Sequence, residues 1–191
     1  MRSRWSSVAV SLTMFVLVGF GTTAGAGVQA SGGASTPAPV SKETCWADLT
    51  TAQSLCVPTG TDLVTAVAET TGIRLVVPDG TVIGGVVSER SQLKTPTVAT
   101  STVTGILYDD INYGGGSFVA SSSGTCSVGS YSFADLSPFG WNDRASSFRS
   151  YAGCSGAVYQ NINFGGSTYG FVVNAPSLGS MNDQASSWRM Q

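Results

Sequence analysis

The sequence predicts an all-β fold, in which two similar β-units pack as a two-sheet sandwich after a small α+β segment. The first indication is an internal repeat, because the hexad Asn-Asp-x-Ala-Ser-Ser occurs at residues 142–147 and again at 182–187. The second is an alternation of apolar and small polar residues at 103–108, 117–121 and 168–172, with Gly and Asn between these runs, as in strands joined by tight turns. A unit of about forty residues cannot bury both faces of its own strands, so two units are needed to close a core.

The N-terminus predicts export. After Met-Arg-Ser-Arg, an apolar run at residues 8–20 is shorter than a transmembrane helix needs to span a bilayer, and small residues follow it. We interpret residues 1–30 as a signal peptide, with cleavage near residue 26 or residue 30. Residues 31–44 are predicted to be a flexible N-terminus, because SGGASTPAPVS has no apolar period. No second apolar run of membrane length follows, so we expect a secreted, extracellular protein without a membrane span.

Four cysteines suit an oxidising compartment. Their number is even, the chain has no Cys-x-x-Cys pair, and it has no histidine that would complete a zinc site with them. The simplest interpretation is two local disulfides, Cys45–Cys56 and Cys126–Cys154, while two other connectivities stay open. Redox catalysis is not expected.

A small α+β segment, clipped by the first cysteine pair, is predicted at residues 45–87, and a pro-region is one interpretation of it. Two short semi-apolar runs at its start predict a hairpin. A helix is expected to begin after Thr61 as its N-cap and to end at Gly72, with an apolar face of leucine and valine. Residues 73–77 predict a strand, and residues 81–87 are expected to return beside it after the turn Pro-Asp-Gly.

A linker is predicted at residues 88–102, which are polar and rich in Thr and Ser. The domain boundary then falls near residue 102, and residues 103–191 contain both repeats. Charged residues make up only 10% of the chain while Gly and Ser abound, which is typical of a compact extracellular β-domain rather than of a disordered chain.

Charge and composition exclude several classes of function. Without Arg2 and Arg4, the chain retains seven basic residues against eleven acidic ones, a net charge of −4, and has no basic cluster. Nucleic acid is therefore not an expected partner. The absence of histidine excludes a Ser-His-Asp triad, and the adjacent carboxylates of Asp109 and Asp110 would point apart rather than face each other across a cleft. We expect a monomer that is not an enzyme.

A hairpin pattern precedes each hexad. It consists of two aromatic residues and a glycine at fixed spacing, namely Tyr108, Tyr113 and Gly115 in the first repeat and Tyr159, Phe164 and Gly166 in the second. The glycine suits a backbone with positive φ in a tight hairpin. Together, the hairpins and hexads resemble the paired Greek-key motifs of the βγ-crystallin superfamily, specifically its calcium-binding members with the signature (Asn/Asp)-(Asn/Asp)-x-x-(Ser/Thr)-Ser. The resemblance covers about residues 103–191 and implies a βγ-crystallin-like sandwich of two Greek-key motifs.

The resemblance implies that the hexads bind calcium, which takes about six to eight oxygen ligands from carboxylates, carbonyls, hydroxyls and water. In the family the two hexads cross over, so that each of two sites takes ligands from both motifs and a backbone oxygen from the residue after the hairpin tyrosine. That residue is Asp109 in the first motif and Gln160 in the second, where the family usually has an acidic residue. The hexad residues implied as ligands are Asn142, Asp143, Arg144 and Ser146 in the first motif, and Asn182, Asp183, Gln184 and Ser186 in the second.

The final serines of the hexads, Ser147 and Ser187, resemble structural serines of the family that hydrogen-bond back onto the folded hairpin. With about one carboxylate per site, the affinity for calcium is expected in the micromolar to millimolar range of extracellular modules. The alternative is that both hexads are only turns, because Asn, Asp and Ser favour turns by bonding their own backbone. Both hexads are intact at every ligand position, which favours calcium binding.

Large side chains flank the hexads. Trp141, Phe148 and Trp188 are expected to be core or corner aromatics rather than a platform for sugars. Arg149 and Arg189 are expected to be solvated or paired with a neighbouring carboxylate.

A proteinase inhibitor is the alternative function. The C-terminal domain is also similar in size and layout to secreted bacterial metalloproteinase inhibitors with a crystallin-like fold and two disulfides. An inhibitor needs an exposed, rigid loop that fits a protease cleft. The first repeat has eleven extra residues around 121–132, and this segment is either such a loop, held by a bridge from Cys126 to Cys154, or an ordinary strand connection. An extracellular protease is therefore a second candidate partner, beside calcium ions.

Overall fold

The computed structural model describes residues 42–88 and 99–191, which lie within one compact unit, Pro39–Gln191. The predicted signal peptide, the predicted flexible N-terminus as far as residue 41, and residues 89–98 of the predicted linker lie outside the described residues. Among the described residues, no helix is long and apolar enough to cross a membrane.

The N-terminal part contains five strands and one helix. They are β1 (Glu43–Asp48), β2 (Ser54–Pro58), α1 (Leu63–Thr71), β3 (Ile73–Val76), β4 (Thr81–Ile83) and β5 (Val86–Ser88). The side chain of Asp62, rather than Thr61, caps α1, because its extended backbone lets the carboxylate accept from the free N–H groups of the first turn. Gly72 ends the helix with a φ of 73°. The strands β4 and β5 pair with each other, so residues 81–87 do not return beside β3 as expected.

The C-terminal part contains two repeats of four strands. The first repeat has β6 (Ala99–Tyr108), β7 (Ser117–Ser122), β8 (Tyr131–Phe133) and β9 (Ser147–Ser150), and the second has β10 (Gly156–Asn161), β11 (Gly165–Val172), β12 (Asn174–Ala175) and β13 (Ser187–Met190). The strand order is β12-β9-β6-β7-β1-β2 in the first sheet and β11-β10-β13-β8 in the second. The third strand of each repeat thus joins the other repeat's sheet, which interlocks two Greek-key motifs. The predicted all-β sandwich of two sheets is confirmed.

The core between the two sheets is aromatic. Trp141, Phe148 and Trp188, which the sequence predicts as core residues, are fully buried, and Phe118 stacks on Trp141 at a centroid distance of 5.9 Å. Strand β6 passes close to this core at Gly105, where a Cβ atom would lie 2.5 Å from Cζ2 of Trp188. The indole ring therefore fills the space that a side chain at this position would need.

The N-terminal segment extends the first sheet of the sandwich. Strand β1 pairs in parallel with β7, and β2 pairs with β1 beyond it. Strand β3 pairs in parallel with residues 99–102, which lie in the predicted linker but form the start of the ten-residue strand β6. Because β1 covers the edge of β7, the backbone N–H and C=O groups of that edge are paired within the chain.

Helix α1 contributes to a second hydrophobic core on the outer face of the first sheet. Its buried residues Leu63, Val64 and Val67 belong to one cluster with Ile106 of β6 and Val119 of β7. Each fully buried aliphatic side chain of this kind contributes about 1.5–3 kcal/mol to folding. The segment at residues 45–87 is therefore packed onto the sandwich as part of the same folded unit.

Asp48, at the end of β1, is buried and joins three strands. Its Oδ1 accepts hydrogen bonds from the backbone N–H groups of Thr50 and Thr51, both at 2.8 Å. Its Oδ2 accepts from the hydroxyls of Ser101 in β6 and Ser121 in β7. Burial acts to raise the pKa of Asp48, but these hydrogen bonds outweigh it, so the pKa lies below its ordinary value. The ionised carboxylate therefore stabilises the docking of β1.

Both predicted disulfides are present. Cys45–Cys56 joins β1 to β2, and Cys126–Cys154 ties the loop after β7 to the loop before β10. With no free cysteine in the chain, this arrangement suits an oxidising environment. Glu43 lies beside the first pair, but the two sulfur atoms are bonded to each other, so the group offers no thiolate to a metal ion.

Candidate metal site

The two hexads meet at one end of the sandwich and exchange backbone hydrogen bonds. The N–H of Asp143 donates to the carbonyl of Ala185, and the N–H of Asp183 donates to the carbonyl of Ala145, both at 3.0 Å. In addition, Oγ of Ser146 donates to Oδ1 of Asp183 at 3.0 Å. A carboxylate of the second hexad thus lies against a hydroxyl of the first, in a contact between residues 37 positions apart.

Each hexad aspartate has a left-handed backbone conformation, with φ of 55° at Asp143 and 53° at Asp183. Asp and Asn adopt this region more readily than other residues with side chains. The preceding asparagine donates from Nδ2 to Oδ2 of the aspartate, at 2.6 Å from Asn142 and 2.7 Å from Asn182. The amide thereby orients the carboxylate and leaves its Oδ1 atom for another partner.

The hairpins supply backbone oxygens beside the hexad hydroxyls. The N–H of Ser146 donates to the carbonyl of Tyr108 at 2.8 Å, and the N–H of Ser186 donates to the carbonyl of Tyr159 at 2.9 Å. The Oγ atom of Ser186 donates to the carbonyl of Gln160 at 2.7 Å. Within the described residues, several predicted ligand carbonyls accept no hydrogen bond, namely those of Asp109, Arg144 and Gln184.

These contacts and the symmetry of the repeats outline two related candidate clusters, each with one carboxylate, one hydroxyl and one hairpin carbonyl. In the cluster named the Asp109 site, the carboxylate of Asp183 contacts the hydroxyl of Ser146, and the symmetry assigns the carbonyl of Asp109 to it. In the cluster named the Gln160 site, the hydroxyl of Ser186 contacts the carbonyl of Gln160, and the symmetry assigns the carboxylate of Asp143 to it. In the Asp109 site, the hydroxyl of Ser146 is hydrogen-bonded to the carboxylate of Asp183. Within the described residues, the Gln160 site has no equivalent bond between Ser186 and Asp143.

The donor set suits a hard cation. Carboxylate, hydroxyl and carbonyl oxygens are the ligands that calcium prefers, whereas zinc is usually held by thiolate and imidazole groups. The chain has no histidine and no free cysteine. Since calcium requires about six to eight oxygens, each cluster also needs water and the free carbonyls of Arg144 and Gln184 nearby. One hexad carboxylate per cluster neutralises the charge of a divalent ion only in part.

The last serine of each hexad holds the adjacent hairpin. Oγ of Ser147 donates to the carbonyl of Asp110 at 2.7 Å and accepts from the N–H of Tyr113 at 3.1 Å. Ser187 makes the equivalent two contacts in the second repeat, at 2.7 and 3.0 Å. Both serines are fully buried, and their hydroxyls satisfy hairpin backbone groups.

The hairpin aromatics have positive φ, 67° at Tyr113 and 63° at Phe164, which was not predicted from the sequence. Each of these rings packs edge-on against the first tyrosine of its hairpin, with centroid distances of 5.7 Å to Tyr108 and 5.6 Å to Tyr159. Burial raises the pKa of Tyr108 above its ordinary value. The pattern glycines of both hairpins have a φ of 75°, namely Gly115 and Gly166.

The arginine after each hexad lies over the hairpin aromatic of its own repeat. The Cζ atom of Arg149 lies 3.8 Å from the ring centroid of Tyr113, and the Cζ atom of Arg189 lies 4.2 Å from that of Phe164. A guanidinium group is attracted to the face of an aromatic ring. This stacking corrects the expectation that both arginines are solvated or paired with a carboxylate. The sequence signal for this stacking was that each repeat has both a hairpin aromatic and an arginine two positions after its hexad.

One predicted ligand residue, Asp109, has its side chain bound by another residue. Both of its carboxylate oxygens accept hydrogen bonds from Arg144, from Nε at 3.1 Å and from Nη2 at 3.0 Å. Its side-chain oxygens are therefore engaged, whereas its carbonyl oxygen, the ligand atom that the resemblance implies, accepts no hydrogen bond from the described residues. At the equivalent position of the second repeat, Nε2 of Gln160 donates to Oε1 of Gln184 at 3.3 Å.

The chain is similar to βγ-crystallin domains of known structure. It is 33% identical to a domain from Flavobacterium johnsoniae over 46% of this chain and 93% of that domain, with a TM-score of 0.36. A domain from Clostridium beijerinckii is 29% identical over 46% of this chain and 95% of that domain, with a TM-score of 0.36. A clostrillin double mutant, solved in complex with nickel, is 28% identical over 46% of this chain and 95% of that one, with a TM-score of 0.37. No family model and no curated protein matches the chain.

The fold and the site define a module of two interlocked Greek-key repeats with paired oxygen clusters at one end. The 33% identity to the Flavobacterium johnsoniae domain extends over 93% of its length. The chain therefore belongs to the βγ-crystallin superfamily.

Proposed function

We propose that this protein is a secreted, non-enzymatic calcium-binding module of the βγ-crystallin type, in which bound calcium stabilises the fold. The observation that carries the proposal is the contact of Ser146 Oγ with Asp183 Oδ1, which brings a hydroxyl and a carboxylate of different hexads to 3.0 Å. Hexads that were only turns would bond their own backbone. These hexads instead exchange partners with each other, as a shared pair of sites requires.

The charge around the clusters also supports a cation. The carboxylates of Asp143 and Asp183 have no Lys or Arg partner within the described residues, and each is oriented by a neutral asparagine. In the Asp109 site, the Asp183 carboxylate faces the hydroxyl of Ser146 close to a hairpin carbonyl. All of these oxygens carry negative charge or partial negative charge, so a divalent cation between them would be favoured.

Calcium would join the two repeats, because each site combines oxygens of both hexads. An ion that binds only the folded state stabilises it by mass action, by about 2.7 kcal/mol at a concentration one hundred times its dissociation constant. With one hexad carboxylate per site, we expect dissociation constants in the micromolar to millimolar range.

The test is a thermal melt of the mature, disulfide-bonded chain in millimolar calcium and in chelator. We expect the Tm to rise by several degrees in calcium, and the double variant Asp143→Gly, Asp183→Gly to lose this rise. Glycine adopts the left-handed conformation of these positions, so the variant removes the ligand side chain without adding backbone strain. Glu69→Gln, at an exposed position of α1, is the matched control and should keep the rise. Equal Tm values in calcium and in chelator would refute the proposal.

A second candidate function, proteinase inhibition, is favoured by one observation in the extra loop of the first repeat. Val128 is 82% exposed in that loop. The disulfide Cys126–Cys154 braces the loop, and the backbone N–H of Cys126 donates to the carbonyl of Ala152 at 3.2 Å. An exposed apolar side chain on a braced loop meets the basic requirement for insertion into an apolar protease subsite.

Inhibition assays against thermolysin-like and serine proteases test this second candidate. Nanomolar inhibition that is lost in Val128→Asp and kept in Ser130→Ala, an exposed control in the same loop, would establish it. Absence of inhibition at micromolar concentrations of the protein would exclude it for these proteases.

A further inference from the structure

We propose that the two calcium sites differ in how far they are assembled before an ion binds, and that Arg144 is the positioning residue of the Asp109 site. The Asp109 site then binds calcium more tightly and fills first, whereas the Gln160 site fills second. This order of filling depends on the calcium function proposed above, and it assigns a role to the Arg144 side chain, which supplies no ligand atom.

The guanidinium group of Arg144 is held between the first hairpin and the loop before the first hexad. Its Nε and Nη2 atoms donate to the two carboxylate oxygens of Asp109 at 3.1 and 3.0 Å, and Nη1 donates to the carbonyl of Gly140 at 2.9 Å. Its Cζ atom lies 4.3 Å from the ring centroid of Trp141. A bidentate pair fixes orientation as well as charge. The side chains of Asp109 and Arg144, whose backbone carbonyls are both predicted ligands, are thus held together by an ion pair.

The N-terminal segment covers this ion pair. The side chain of Asp109 is 7% exposed. A Cβ atom at Gly116 would lie 2.7 Å from Oδ2 of Asp109 and 2.7 Å from the carbonyl oxygen of Glu43, so the carboxylate lies beside β1. Lys42 adds an ion pair with Asp110 of the same hairpin at 2.9 Å. Because an unpaired buried carboxylate is strongly destabilising, this cover keeps Asp109 on its arginine partner.

The second repeat has the same arrangement with neutral and less buried side chains. Nε2 of Gln184 donates to the carbonyl of Ser180 at 2.8 Å, in the same way that Nη1 of Arg144 donates to the carbonyl of Gly140 in the first repeat. The hydrogen bond from Gln160 to Gln184 is a single neutral contact at 3.3 Å. Gln184 is exposed, and the N-terminal strands pair with the first sheet and not with the second. The side-chain pair of residues 160 and 184 therefore connects the hairpin and the loop of the Gln160 site less firmly than Asp109 and Arg144 connect those of the Asp109 site.

The difference in assembly predicts a difference in affinity. Groups that must be ordered when a ligand binds lower the affinity, and groups already ordered by the fold do not. Asp109 and Arg144 carry opposite charges, so the pair adds no net charge to its site. The expected difference therefore comes from positioning and not from a stronger attraction to the cation, and we expect it to be about tenfold in dissociation constant.

Calorimetric calcium titration of two single-site variants measures the sites separately. Asp143→Gly removes the carboxylate of the Gln160 site and leaves the Asp109 site, and Asp183→Gly does the reverse. Each variant of the mature chain should bind one ion. We expect Asp143→Gly to bind calcium about tenfold more tightly than Asp183→Gly.

Two exchanges of the pairs, neither of which changes the net charge, then test the role of Arg144. Asp109→Gln with Arg144→Gln gives the first repeat the pair of the second, and it should lower the affinity of the Asp109 site about tenfold. Gln160→Asp with Gln184→Arg gives the second repeat the pair of the first, and it should raise the affinity of the Gln160 site. A pair with only a structural role would change the Tm in chelator and leave both calcium affinities unchanged.

The outcomes separate this inference from the calcium function itself. Equal affinities of the two single-site variants, or no gain from the second exchange, would overturn the order of filling while calcium binding stands. If the first exchange unfolds the protein in chelator, the second exchange still decides, because it is read as a gain in affinity. No saturable calcium binding by the unaltered protein would instead refute the proposed function.

Discussion

The hydroxyl of Ser146 contacts the carboxylate of Asp183 at 3.0 Å, although one residue belongs to the first repeat and the other to the second. Their hexads exchange backbone hydrogen bonds in both directions at the same place. The repeats are therefore joined by polar contacts at one end, in addition to the aromatic core between the sheets. A cation that binds there would stabilise the association of the repeats rather than either repeat alone.

Ser146→Ala should weaken calcium binding, because it removes one oxygen of the Asp109 site and the hydrogen bond to Asp183. We expect the affinity of this site to fall about tenfold, with a decrease of a few degrees at most in the Tm in chelator. Calorimetry on the Asp143→Gly background, which leaves the Asp109 site, measures the affinity. Ser130→Ala, exposed in the extra loop, is the control. An unchanged affinity would show that this hydroxyl is not a ligand.

Asp48→Asn should destabilise the chain at neutral pH by about 1–3 kcal/mol, because an amide NH₂ replaces an acceptor among hydrogen-bond donors. The folded pKa of Asp48 is lowered, so its stabilisation is complete above the unfolded pKa of about 3.9 and is lost as the pH falls through the folded value. The gap in free energy of unfolding between wild type and variant should therefore shrink below about pH 4. Urea unfolding at neutral and acid pH measures the gap, and a gap independent of pH would contradict an ionised Asp48.

The repeats were predictable from the sequence because their features have local causes. The hairpin glycines and the hexads depend on backbone conformations that only a few residue types adopt, so they recur in the sequence itself. The N-terminal segment is different. Its pairing of β1 with β7 and of β3 with β6 joins distant parts of the chain in parallel, and no local pattern encodes such a pairing. Thr61 and Asp62 illustrate a smaller limit, because both are good N-cap residues and only the folded turn distinguishes them.

The candidate site was predicted in outline and not in its supporting contacts. The hexad residues entered the prediction because their oxygens suit calcium, and the fold places them together. Arg144 was predicted as a ligand only through its backbone carbonyl, whereas in the structure its side chain also binds Asp109, 35 positions away. Long side chains reach several partners, so their contacts depend on the packed structure and are not specified by spacing in the sequence.

Removal of residues 42–88 should expose the outer face of the first sheet. Ile106, Val119 and Val103 are buried there in the complete chain. We expect a protein that begins at residue 99 to aggregate or to unfold at much lower temperature, because this apolar face would meet water. Size-exclusion chromatography and thermal unfolding measure both effects. A monomeric fragment with an unchanged Tm would show that the segment is dispensable, as a removable pro-region would be.

Gly105→Ala should destabilise the sandwich core by about 1–3 kcal/mol, because its Cβ atom would meet the indole ring of Trp188 at 2.5 Å. The ring is fully buried and has little room to move. Gly129→Ala is a matched control, since a Cβ atom there meets nothing within 4 Å. Equilibrium unfolding in urea measures both variants, and equal stabilities would contradict the close approach of strand and ring.

The most direct test of the calcium claim is isothermal titration calorimetry of the mature chain. We predict two ions per molecule with dissociation constants in the micromolar to millimolar range, and no saturable binding by the Asp143→Gly, Asp183→Gly double variant, which has neither hexad carboxylate. An unaltered protein that shows no saturable binding at millimolar calcium, or a double variant that binds as well as the wild type, would contradict the proposed sites.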